Sequence, residues 1–371
     1  MAGYRTVFFA GGGTGGHVFP AVAVCQRIVE RDAGIGVHII CSRRPIDRQI
    51  LEPIGIPFTC LPAVGLGRGP GQLARFLCTF RSSYRQAIRL LTAGRAAAVI
   101  GVGGFVAAPV CMAAHRLHLP IFLINVDYAP GKANRLIARW ANKIFVQFEQ
   151  TKSAFQDAAD RVLVTGCPLR AEFDRPDPAR ARQELGLDPA LKVLLVTGAS
   201  SGAMNINEAV IRLLPKLDVF NDRWHIVHLT GMAHLEQVCS GYHGARIRHA
   251  VVPFYRCMAD LYAASDLAIG RSGAVSVAEY AVSRLPSICM PYPYHRDRHQ
   301  YLNAKVLADA GAAVIVDDLA DADRRAEGLW GRLAGLLEDG SLRDQMAAAC
   351  GRIAKPGAAR QIADAILDHI Q

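Results

Sequence analysis

The sequence has ten cysteines among its 371 residues but no C-x-x-C pair. Zinc sites and disulfide frameworks place cysteines at short, repeated spacings, so neither is predicted. Most of these cysteines stand within apolar segments, and we expect them to be small buried residues of a protein in a reducing cytosol. No segment typical of a secretory signal precedes the first predicted strand.

Long apolar runs are also scarce. Residues 96–114 carry no charge, but Gly101, Gly103, Gly104 and Pro109 interrupt them. Because a membrane-spanning helix needs about 20 predominantly apolar residues, this stretch is predicted to be a buried strand, a glycine turn and a helix. We expect no transmembrane segment.

Acidic residues are outnumbered, since 42 Lys+Arg against 32 Asp+Glu give a formal net charge of +10. This balance favours an anionic partner such as nucleic acid, an acidic membrane surface or a phosphorylated substrate. Apolar residues make up 51% of the chain and charged residues 20%, which indicates globular structure. The length is typical of two domains.

The most informative segment is an apolar run that breaks into the glycines and the threonine of residues 11–16, followed by His17. It predicts a buried strand, a tight turn and the start of a helix. Glycine lets the backbone turn sharply and lets a ligand approach the amides closely. The positive end of the helix favours an anionic or strongly polar group.

The residues of this loop leave two other interpretations open. Gly11, Gly13 and Gly16 satisfy the G-x-G-x-x-G pattern of dinucleotide sites, which also need an acidic residue about 20 residues further on. The second predicted strand ends instead in Cys41-Ser42-Arg43-Arg44. NAD is therefore disfavoured, whereas the two arginines keep NADP open. The turn could also do no more than pack a helix on a strand.

Strand and helix patterns alternate along the chain, which is typical of an α/β protein with doubly wound parallel sheets. Residues 168–178, rich in Pro, Asp and Arg, are predicted to be a linker.

We predict two Rossmann-like domains, residues 1–166 and 167–371, with the last helix packing back on the first domain. Ligands bind such sheets at the carboxyl ends of the strands, here expected to face a shared cleft. Helices are predicted near 17–32, 45–54, 71–93, 106–117, 131–141, 150–158 and 204–214, and strands near 5–10, 36–41, 57–61, 97–102, 120–125, 143–147, 161–165, 193–197, 224–229, 247–251, 266–269, 286–290 and 313–316.

A basic amphipathic helix is predicted at 71–91, where no acidic residue occurs between Gln72 and Leu91. Such a helix suits the surface of an anionic bilayer. A helix that faces the core with a solvated basic back is the alternative. The apolar stripe consists of Leu73, Phe76, Leu77, Phe80 and Tyr84, and the basic flanks consist of Arg75, Arg81, Arg85 and Arg89.

Polar groups follow several predicted strands of the second half. The glycine turn Ser200-Ser201-Gly202 precedes a helix and suits a phosphate. Arg271, after the strand near 266–269, is placed for a phosphate as well. Glu279 is expected to present an isolated carboxylate to ribose hydroxyls, and the amides and imidazoles of 295–303 suit sugar hydroxyls.

Together these motifs resemble those of the MurG-type glycosyltransferases of family 28, which have the two-domain GT-B fold. The resemblance implies an inverting transfer of N-acetylglucosamine from UDP-N-acetylglucosamine to lipid I (undecaprenyl-pyrophosphoryl-N-acetylmuramoyl pentapeptide), which gives lipid II in peptidoglycan synthesis. It implies no metal, no cofactor and no nucleic acid partner, and a peripheral position on the anionic cytoplasmic face of a bacterial inner membrane. It covers nearly the whole chain, most specifically at Gly11–Pro20, Gly103-Gly104-Phe105, Arg170, Ser200-Ser201-Gly202, Phe254-Tyr255, Arg271–Glu279 and Asp297–Asn303.

The resemblance also implies residue roles. The backbone near Tyr255 would read uracil, Glu279 the ribose, and Ser200 with Arg271 the pyrophosphate. The acceptor side would comprise Gly12, Gly13, Gly103, Gly104, Phe105 and Asn125. The donor site would comprise Thr14, Gly15, Gly16, Arg170, Ser200, Ser201, Gly202, Phe254, Tyr255, Arg271, Ser272, Gly273, Ala274, Val275, Ser276, Val277, Ala278, Glu279, His299, Gln300 and Asn303.

The acceptor half departs from the family pattern at Ile124-Asn125-Val126-Asp127, where the family usually has His-Glu-Gln-Asn. Two general bases are therefore considered. His17 lies at a helix N-terminus, which disfavours its cationic form, and Asp127 places a carboxylate beside the sugar. A purely positioning role is the alternative for His17. For the whole chain the alternatives are another lipid acceptor such as a diacylglycerol, a non-catalytic UDP-sugar-binding protein, and an NADP-dependent oxidoreductase.

Overall fold

The computed structural model describes residues 5–67, 69–198, 202–295 and 297–370. Their contacts divide the chain into two units. The first unit contains the described residues up to Ala171 and from Lys355 onward, and the second contains Glu172–Ala354.

The first unit is built on a seven-stranded parallel sheet in the order β3-β2-β1-β4-β5-β6-β7. Residues 7–10, in an interior strand of this sheet, are almost completely buried, because helices cover both faces of the sheet and an unbroken apolar run fits between them. The strands are β1 (Arg5–Gly11), β2 (Ile35–Ser42), β3 (Phe58–Leu61), β4 (Ala96–Gly103), β5 (Ile121–Asn125), β6 (Lys143–Val146) and β7 (Val162–Val164).

The second unit is built on a six-stranded parallel sheet in the order β10-β9-β8-β11-β12-β13. Both sheets therefore follow the same relative order, and in both the order reverses between the first and the fourth strand, where doubly wound folds bind ligands. The prediction of an α/β chain with two doubly wound parallel sheets is confirmed. The strands are β8 (Lys192–Thr197), β9 (Trp224–Leu229), β10 (Arg248–Val252), β11 (Leu267–Gly270), β12 (Ser287–Cys289) and β13 (Ala313–Ile315).

Helices connect the strands, and six of those in the described residues belong to the first unit: the first five and the last. They are α1 (Gly15–Arg31), α2 (Pro45–Leu51), α3 (Pro70–Ala93), α4 (Gly104–Arg116), α5 (Lys132–Ile137), α6 (Pro178–Glu184), α7 (Met204–Leu217), α8 (Leu235–Gly241), α9 (Met258–Ala263), α10 (Ala274–Val282), α11 (His299–Asp309), α12 (Ala322–Glu338), α13 (Gly340–Ile353) and α14 (Ala358–Ile370).

Two predicted helices differ from the structure. The segment expected to be helical near 150–158 forms a kinked 3₁₀ segment, Glu149–Arg161, in which Phe155 and Ala158 have non-helical dihedral angles. The helix expected over 131–141 ends at Ile137. The uncharged stretch 96–114 forms β4 and most of α4, as predicted. Among the described residues no helix combines the length and the apolar character needed to cross a membrane.

Helix α14 lies against α1 and completes the first unit. Arg31 at the end of α1 pairs with Asp364 and, at 3.0 Å, with Asp368. His369 places its ring edge-on to Phe122 of β5, with 5.3 Å between the ring centroids.

Candidate functional site

The glycine loop, residues 11–17, connects β1 to α1 at the point where the order of the first sheet reverses. Gly13 has a φ of +90°, a conformation that L side chains rarely adopt. Thr14 is exposed and His17 is half-buried. The Thr14 hydroxyl lies 3.3 Å from Nδ1 of His17, so these two side chains form one polar group at the start of α1.

A second glycine turn, between β4 and α4, lies against this loop. A Cβ atom on Gly104 would stand 2.4 Å from the Gly12 carbonyl oxygen, and one on Gly103 would stand 2.8 Å from Cδ2 of His17. Both residues also have positive φ. Only glycine therefore fits here, and the imidazole of His17 rests on the backbone of Gly103. Phe105 follows with a side chain that is 45% exposed.

The altered segment at the end of β5 belongs to the same edge of the sheet. Nδ2 of Asn125 donates to the Asp127 carbonyl oxygen at 2.7 Å. Oδ1 of Asn125 accepts from Nδ2 of Asn134 at 2.8 Å, and both asparagines are buried. Asn134 was not predicted, because its helix α5 carries no motif. The structure thus gathers His17, Asn125 and Asp127 at the ends of β1 and β5, with Gly103 at the end of β4 between them.

Asp47 on α2 is fully buried below the glycine loop and was also missed by the sequence analysis. Its two carboxylate oxygens accept from the Gly13 amide at 2.8 and 2.9 Å. Its Oδ2 also accepts from the amide and the hydroxyl of Ser42, at 2.9 and 2.6 Å. Arg44 donates to the Gly13 carbonyl oxygen at 3.0 Å.

These contacts disfavour the dinucleotide interpretation. A pyrophosphate in a Rossmann loop uses the amides of the glycine turn, but a carboxylate of the protein already occupies the Gly13 amide. Arg44, which the NADP interpretation needs for a phosphate, is bound to the loop backbone and lies 5.8 Å from the centre of the Phe105 ring.

Helix α3 has two different halves. Its second half buries Ser83, Ala87 and Leu91 in the first unit. Its first half is largely exposed: Leu73 is 47% and Leu77 56% exposed. The rings of Phe76 and Phe80, 5.7 Å apart, and Tyr84 are half-buried, while Arg75, Arg81, Arg85 and Arg89 are exposed.

In the second unit, the predicted glycine turn Ser200-Ser201-Gly202 lies between β8 and α7, as the glycine loop of the first unit lies between β1 and α1. Ser200 and Ser201, predicted to bind a phosphate, lie outside the described residues. Gly202 has a φ of +73°, and a Cβ on it would stand 2.4 Å from the Thr230 carbonyl oxygen. This position therefore requires glycine, as the predicted tight turn does.

A neutral hydrogen-bond network supports this turn from below. Asn207 on α7 donates to the Thr230 carbonyl oxygen at 3.0 Å, and its Oδ1 lies 3.1 Å from Nε2 of His228. Nδ1 of His228 lies 3.0 Å from the hydroxyl of Tyr242. Burial lowers the pKa of His228 to about 3, so this imidazole is neutral at physiological pH.

Arg271, expected at the pyrophosphate, is mostly buried and already bound within the second unit. Its Nη1 donates to the Met290 carbonyl oxygen at 2.8 Å and lies 2.8 Å from Oδ2 of the buried Asp318. Asp318, just beyond β13, also accepts from Nδ2 of Asn205 at 2.8 Å. Asp318 was not predicted as a partner of Arg271, and the phosphate role of Arg271 stays a prediction.

Glu279 is not the isolated carboxylate that was expected. It is 6% exposed and accepts from the hydroxyl of Tyr262 at 3.2 Å. Gly273 caps α10, Ser272 is buried just before it, and the following residues Ala274–Ala278 form the first turns of the helix. Val277 is completely buried, so its side chain is not available to a ligand.

The polar segment before α11 is tied to the loop after β12. Oε1 of Gln300 accepts from the Tyr292 amide at 2.9 Å, and Asn303 donates to the Ser272 carbonyl oxygen at 3.4 Å. His299 lies 2.8 Å from Asp297 and stacks on His295, with 4.4 Å between the ring centroids. The sugar contacts predicted for this segment stay predictions.

Two further predicted donor residues lie in different units. Tyr255, in the loop after β10, donates its hydroxyl hydrogen to Glu184 of α6 at 2.6 Å. Phe254 beside it is exposed. Arg170 belongs to the first unit, where its guanidinium lies 4.4 Å from the centre of the Phe19 ring.

Both halves of the chain match models of one protein family. Residues 7–146 match the glycosyltransferase family 28 N-terminal domain, and residues 193–360 match the glycosyltransferase family 28 C-terminal domain.

Curated relatives match almost end to end. The chain is 34% identical over 363 residues to the UDP-N-acetylglucosamine--N-acetylmuramyl-(pentapeptide) pyrophosphoryl-undecaprenol N-acetylglucosamine transferase of Geobacter metallireducens, covering 97% of this chain and 98% of the relative. It is 35% identical over 362 residues to the protein of the same name from Symbiobacterium thermophilum, with 96% and 94% covered.

Solved structures agree with the architecture. The crystal structure of Acinetobacter baumannii MurG superposes with a TM-score of 0.73 at 27% identity, covering 98% of this chain and 99% of that one. The UDP-GlcNAc 2-epimerase of Neisseria meningitidis, bound to UDP-GlcNAc, gives a TM-score of 0.67 at 14% identity over 98% and 99%. At that identity it shows the fold alone.

Proposed function

We infer the reaction of this chain from its family: it belongs to glycosyltransferase family 28. It transfers N-acetylglucosamine from UDP-N-acetylglucosamine to lipid I, which gives lipid II. The observation that carries this inference is the 34% identity to an N-acetylglucosamine transferase of that name over 97% of the chain, a span that includes both sheets.

In the proposed reaction the acceptor hydroxyl attacks the anomeric carbon of the donor sugar. The new bond joins that carbon to the acceptor oxygen, the bond from the carbon to the phosphate oxygen breaks, and UDP leaves with the electron pair. The hydroxyl proton must pass to a base. His17 is our first candidate, because an Nδ1 hydrogen donated to Thr14 would leave the lone pair of the imidazole on Nε2. Asp127 is the second candidate.

The second unit is proposed to hold the donor. The N-terminal ends of α10, capped by Gly273, and of α7, which begins at Met204, offer amides and positive helix ends to the pyrophosphate. They would also stabilise the charge that develops on the departing UDP. Glu279, held by Tyr262, is proposed to accept from the ribose.

The exposed half of α3 is proposed to bind an anionic membrane surface, where the lipid acceptor resides. Leu73 and Leu77 would enter the headgroup region, and the arginines beside them would contact acidic lipids. Leu73→Asp/Leu77→Asp should abolish cosedimentation with phosphatidylglycerol vesicles. Leu163→Asp, which changes an exposed leucine elsewhere in the first unit, should not. Equal binding of the double variant would contradict this surface.

The first experiment on function is a calorimetric titration with UDP, UDP-N-acetylglucosamine, UDP-glucose and NADPH, followed by transfer of labelled sugar to a lipid I analogue. Binding of UDP-N-acetylglucosamine with transfer to lipid I supports the proposal. Transfer only to a diacylglycerol would change the acceptor, and binding without any transfer would indicate a non-catalytic protein. Binding of NADPH alone would overturn the whole assignment.

A further inference from the structure

The segment between β2 and α2 holds Gly13 on both sides. We name Ser42, Arg44 and Asp47 the β2–α2 clamp. Asp47 accepts from the Gly13 amide with both carboxylate oxygens, and Arg44 donates to the Gly13 carbonyl oxygen. Ser42 donates two hydrogen bonds to Oδ2 of Asp47, one from its amide and one from its hydroxyl. The residue of the loop with positive φ is thus held by two side chains of opposite charge.

Asp47 is a fully buried carboxylate that accepts hydrogen bonds from backbone amides and one hydroxyl. A fully buried carboxylate loses its hydration, and this loss is costly unless hydrogen bonds or a countercharge replace it. Here the replacement consists of backbone amides and one hydroxyl, as at a site that binds a free anion. A carboxylate of the protein therefore binds the Gly13 amide, one of the loop amides that a free anion would otherwise use.

The clamp restricts the residue at Gly12 and is connected to His17 by a short stretch of backbone. Gly12 could not be any other residue, since a Cβ on it would stand 2.5 Å from Oδ2 of Asp47. Gly13 is followed directly by the exposed Thr14, which contacts His17. The path from the clamp to the imidazole is therefore a single short stretch of backbone, and a displacement of Gly13 moves both polar side chains.

We propose that Asp47 is a positioning residue for the sugar transfer, an internal anion that fixes Gly13 and so presents Thr14 and His17 to the acceptor hydroxyl. The proposal rests on the proposed function, in which His17 takes the proton of the acceptor hydroxyl. It adds a residue that touches neither substrate but controls turnover.

The test compares Asp47→Asn with Asp32→Asn. The matched control also removes a carboxylate that accepts from a glycine amide, that of Gly34 at 2.8 Å, but at the opposite end of β2. Asp47→Asn keeps one carbonyl oxygen and replaces the other with an NH2 group, whose hydrogens then oppose either the Gly13 amide or the Ser42 amide. Because a misplacement of about 1 Å can cost about 10²-fold in rate, we expect kcat to fall by about that factor. The dissociation constant for UDP-N-acetylglucosamine, which the second unit is proposed to hold, should change by a much smaller factor than kcat, and Asp32→Asn should keep the wild-type kcat.

Two further measurements separate positioning from stability. In Asp47→Ala, sodium formate should restore part of kcat, whereas sodium chloride at equal ionic strength should not, since only formate replaces the carboxylate. Hydrogen exchange of residues 11–17 should accelerate in Asp47→Asn and not in Asp32→Asn. If Asp47→Asn does not fold, Ser42→Ala provides the same comparison, because it removes one donor and keeps the charge.

The outcomes are distinct. Wild-type kcat in folded Asp47→Asn, or exchange of residues 11–17 unchanged from wild type, overturns the proposal. Absence of transfer by the wild-type enzyme itself overturns the proposed function instead, and in that case hydrogen exchange still decides whether Asp47 fixes the loop.

Discussion

The two glycine turns at the sheet reversals are held by opposite kinds of chemistry. In the first unit, charged side chains bind Gly13 from both sides. In the second unit, a neutral network of Asn207, His228 and Tyr242 supports the Thr230 carbonyl group on which Gly202 rests. Gly13 and Gly202, which both precede a helix at the reversal of a strand order, thus contact charged side chains in the first unit and a neutral network in the second.

This difference matches the ligand proposed for each turn. A carboxylate beneath the first turn fills the place of an anion, which leaves the loop to uncharged sugar hydroxyls. An unpaired carboxylate beneath the second turn would repel a pyrophosphate; the network against Thr230 is neutral, and the Asp318 carboxylate beside α7 is paired with Arg271. We therefore expect changes at the first turn to affect turnover and changes at the second to affect donor affinity.

The largest expected effect is at the first turn. His17→Ala should lower kcat by roughly 10²-fold or more if the imidazole is the base. The dissociation constant of the donor, measured by calorimetry, should stay close to that of the wild type. His115→Ala, at an exposed histidine of the same unit, is the control. A loss of only a few-fold would mean that His17 has a positioning role, and Asp127 would then be the candidate base.

The complementary change at the second turn is Gly202→Ala. It places a Cβ against the Thr230 carbonyl oxygen in a backbone conformation that disfavours alanine. Strain of 1–3 kcal/mol is typical of such a residue, so donor affinity should fall by about tenfold. Gly244→Ala, with a φ of +84° but no atom within 4 Å, should keep donor affinity. Equal donor affinities in both variants and the wild type would show that the backbone at Gly202 does not contribute to donor binding.

The neutral network predicts a specific dependence of stability on pH. The pKa of His228 falls from 6.5 to about 3 on folding. Between these values the unfolded state binds the proton and the folded state does not, so stability is lost as the pH falls through this window. The expected slope is about 1.4 kcal/mol per pH unit. Burial also lowers the pKa of His38 and His225, so these histidines add slopes of the same sign. In urea titrations the slope of His228→Gln should therefore be smaller by about this amount, and His243→Gln, at an exposed position, should keep the wild-type slope. An unchanged slope in His228→Gln would contradict a neutral buried imidazole.

The smallest expected effect is at Tyr255, next to the backbone that is predicted to bind uracil. Tyr255→Phe removes the hydrogen bond to Glu184, which lies at the surface. A loss of about 0.5 kcal/mol, hence a change in UDP affinity of only about two-fold, is expected. Tyr294→Phe is the control at an exposed tyrosine. A tenfold loss in Tyr255→Phe would mean that the side chain itself binds the base.

The sequence predicted the fold well because the signals for it are local. Apolar runs such as 7–10, each ending in glycine, indicate buried parallel strands, and the same pattern repeated after the linker indicates a second sheet. The site was predicted only in part. Asp47 lies 34 residues from the Gly13 amide, and Asp318 lies 47 residues beyond Arg271. Such pairs form only when the sheet is assembled. The dinucleotide pattern requires an acid at the end of β2, and Asp47, which lies in α2 just after that strand, was therefore not predicted.

The return of α14 to α1 makes the second unit an insertion within the first. During synthesis, the ribosome must therefore complete residues 172–354 before the partner of α1 emerges. Until then the face of α1 that α14 covers, and the Arg31 guanidinium that Asp364 and Asp368 neutralise, have no native partner. A nascent chain stopped at 171 should accordingly bind a chaperone that recognises apolar helices, and adding α14 as a separate peptide should release it.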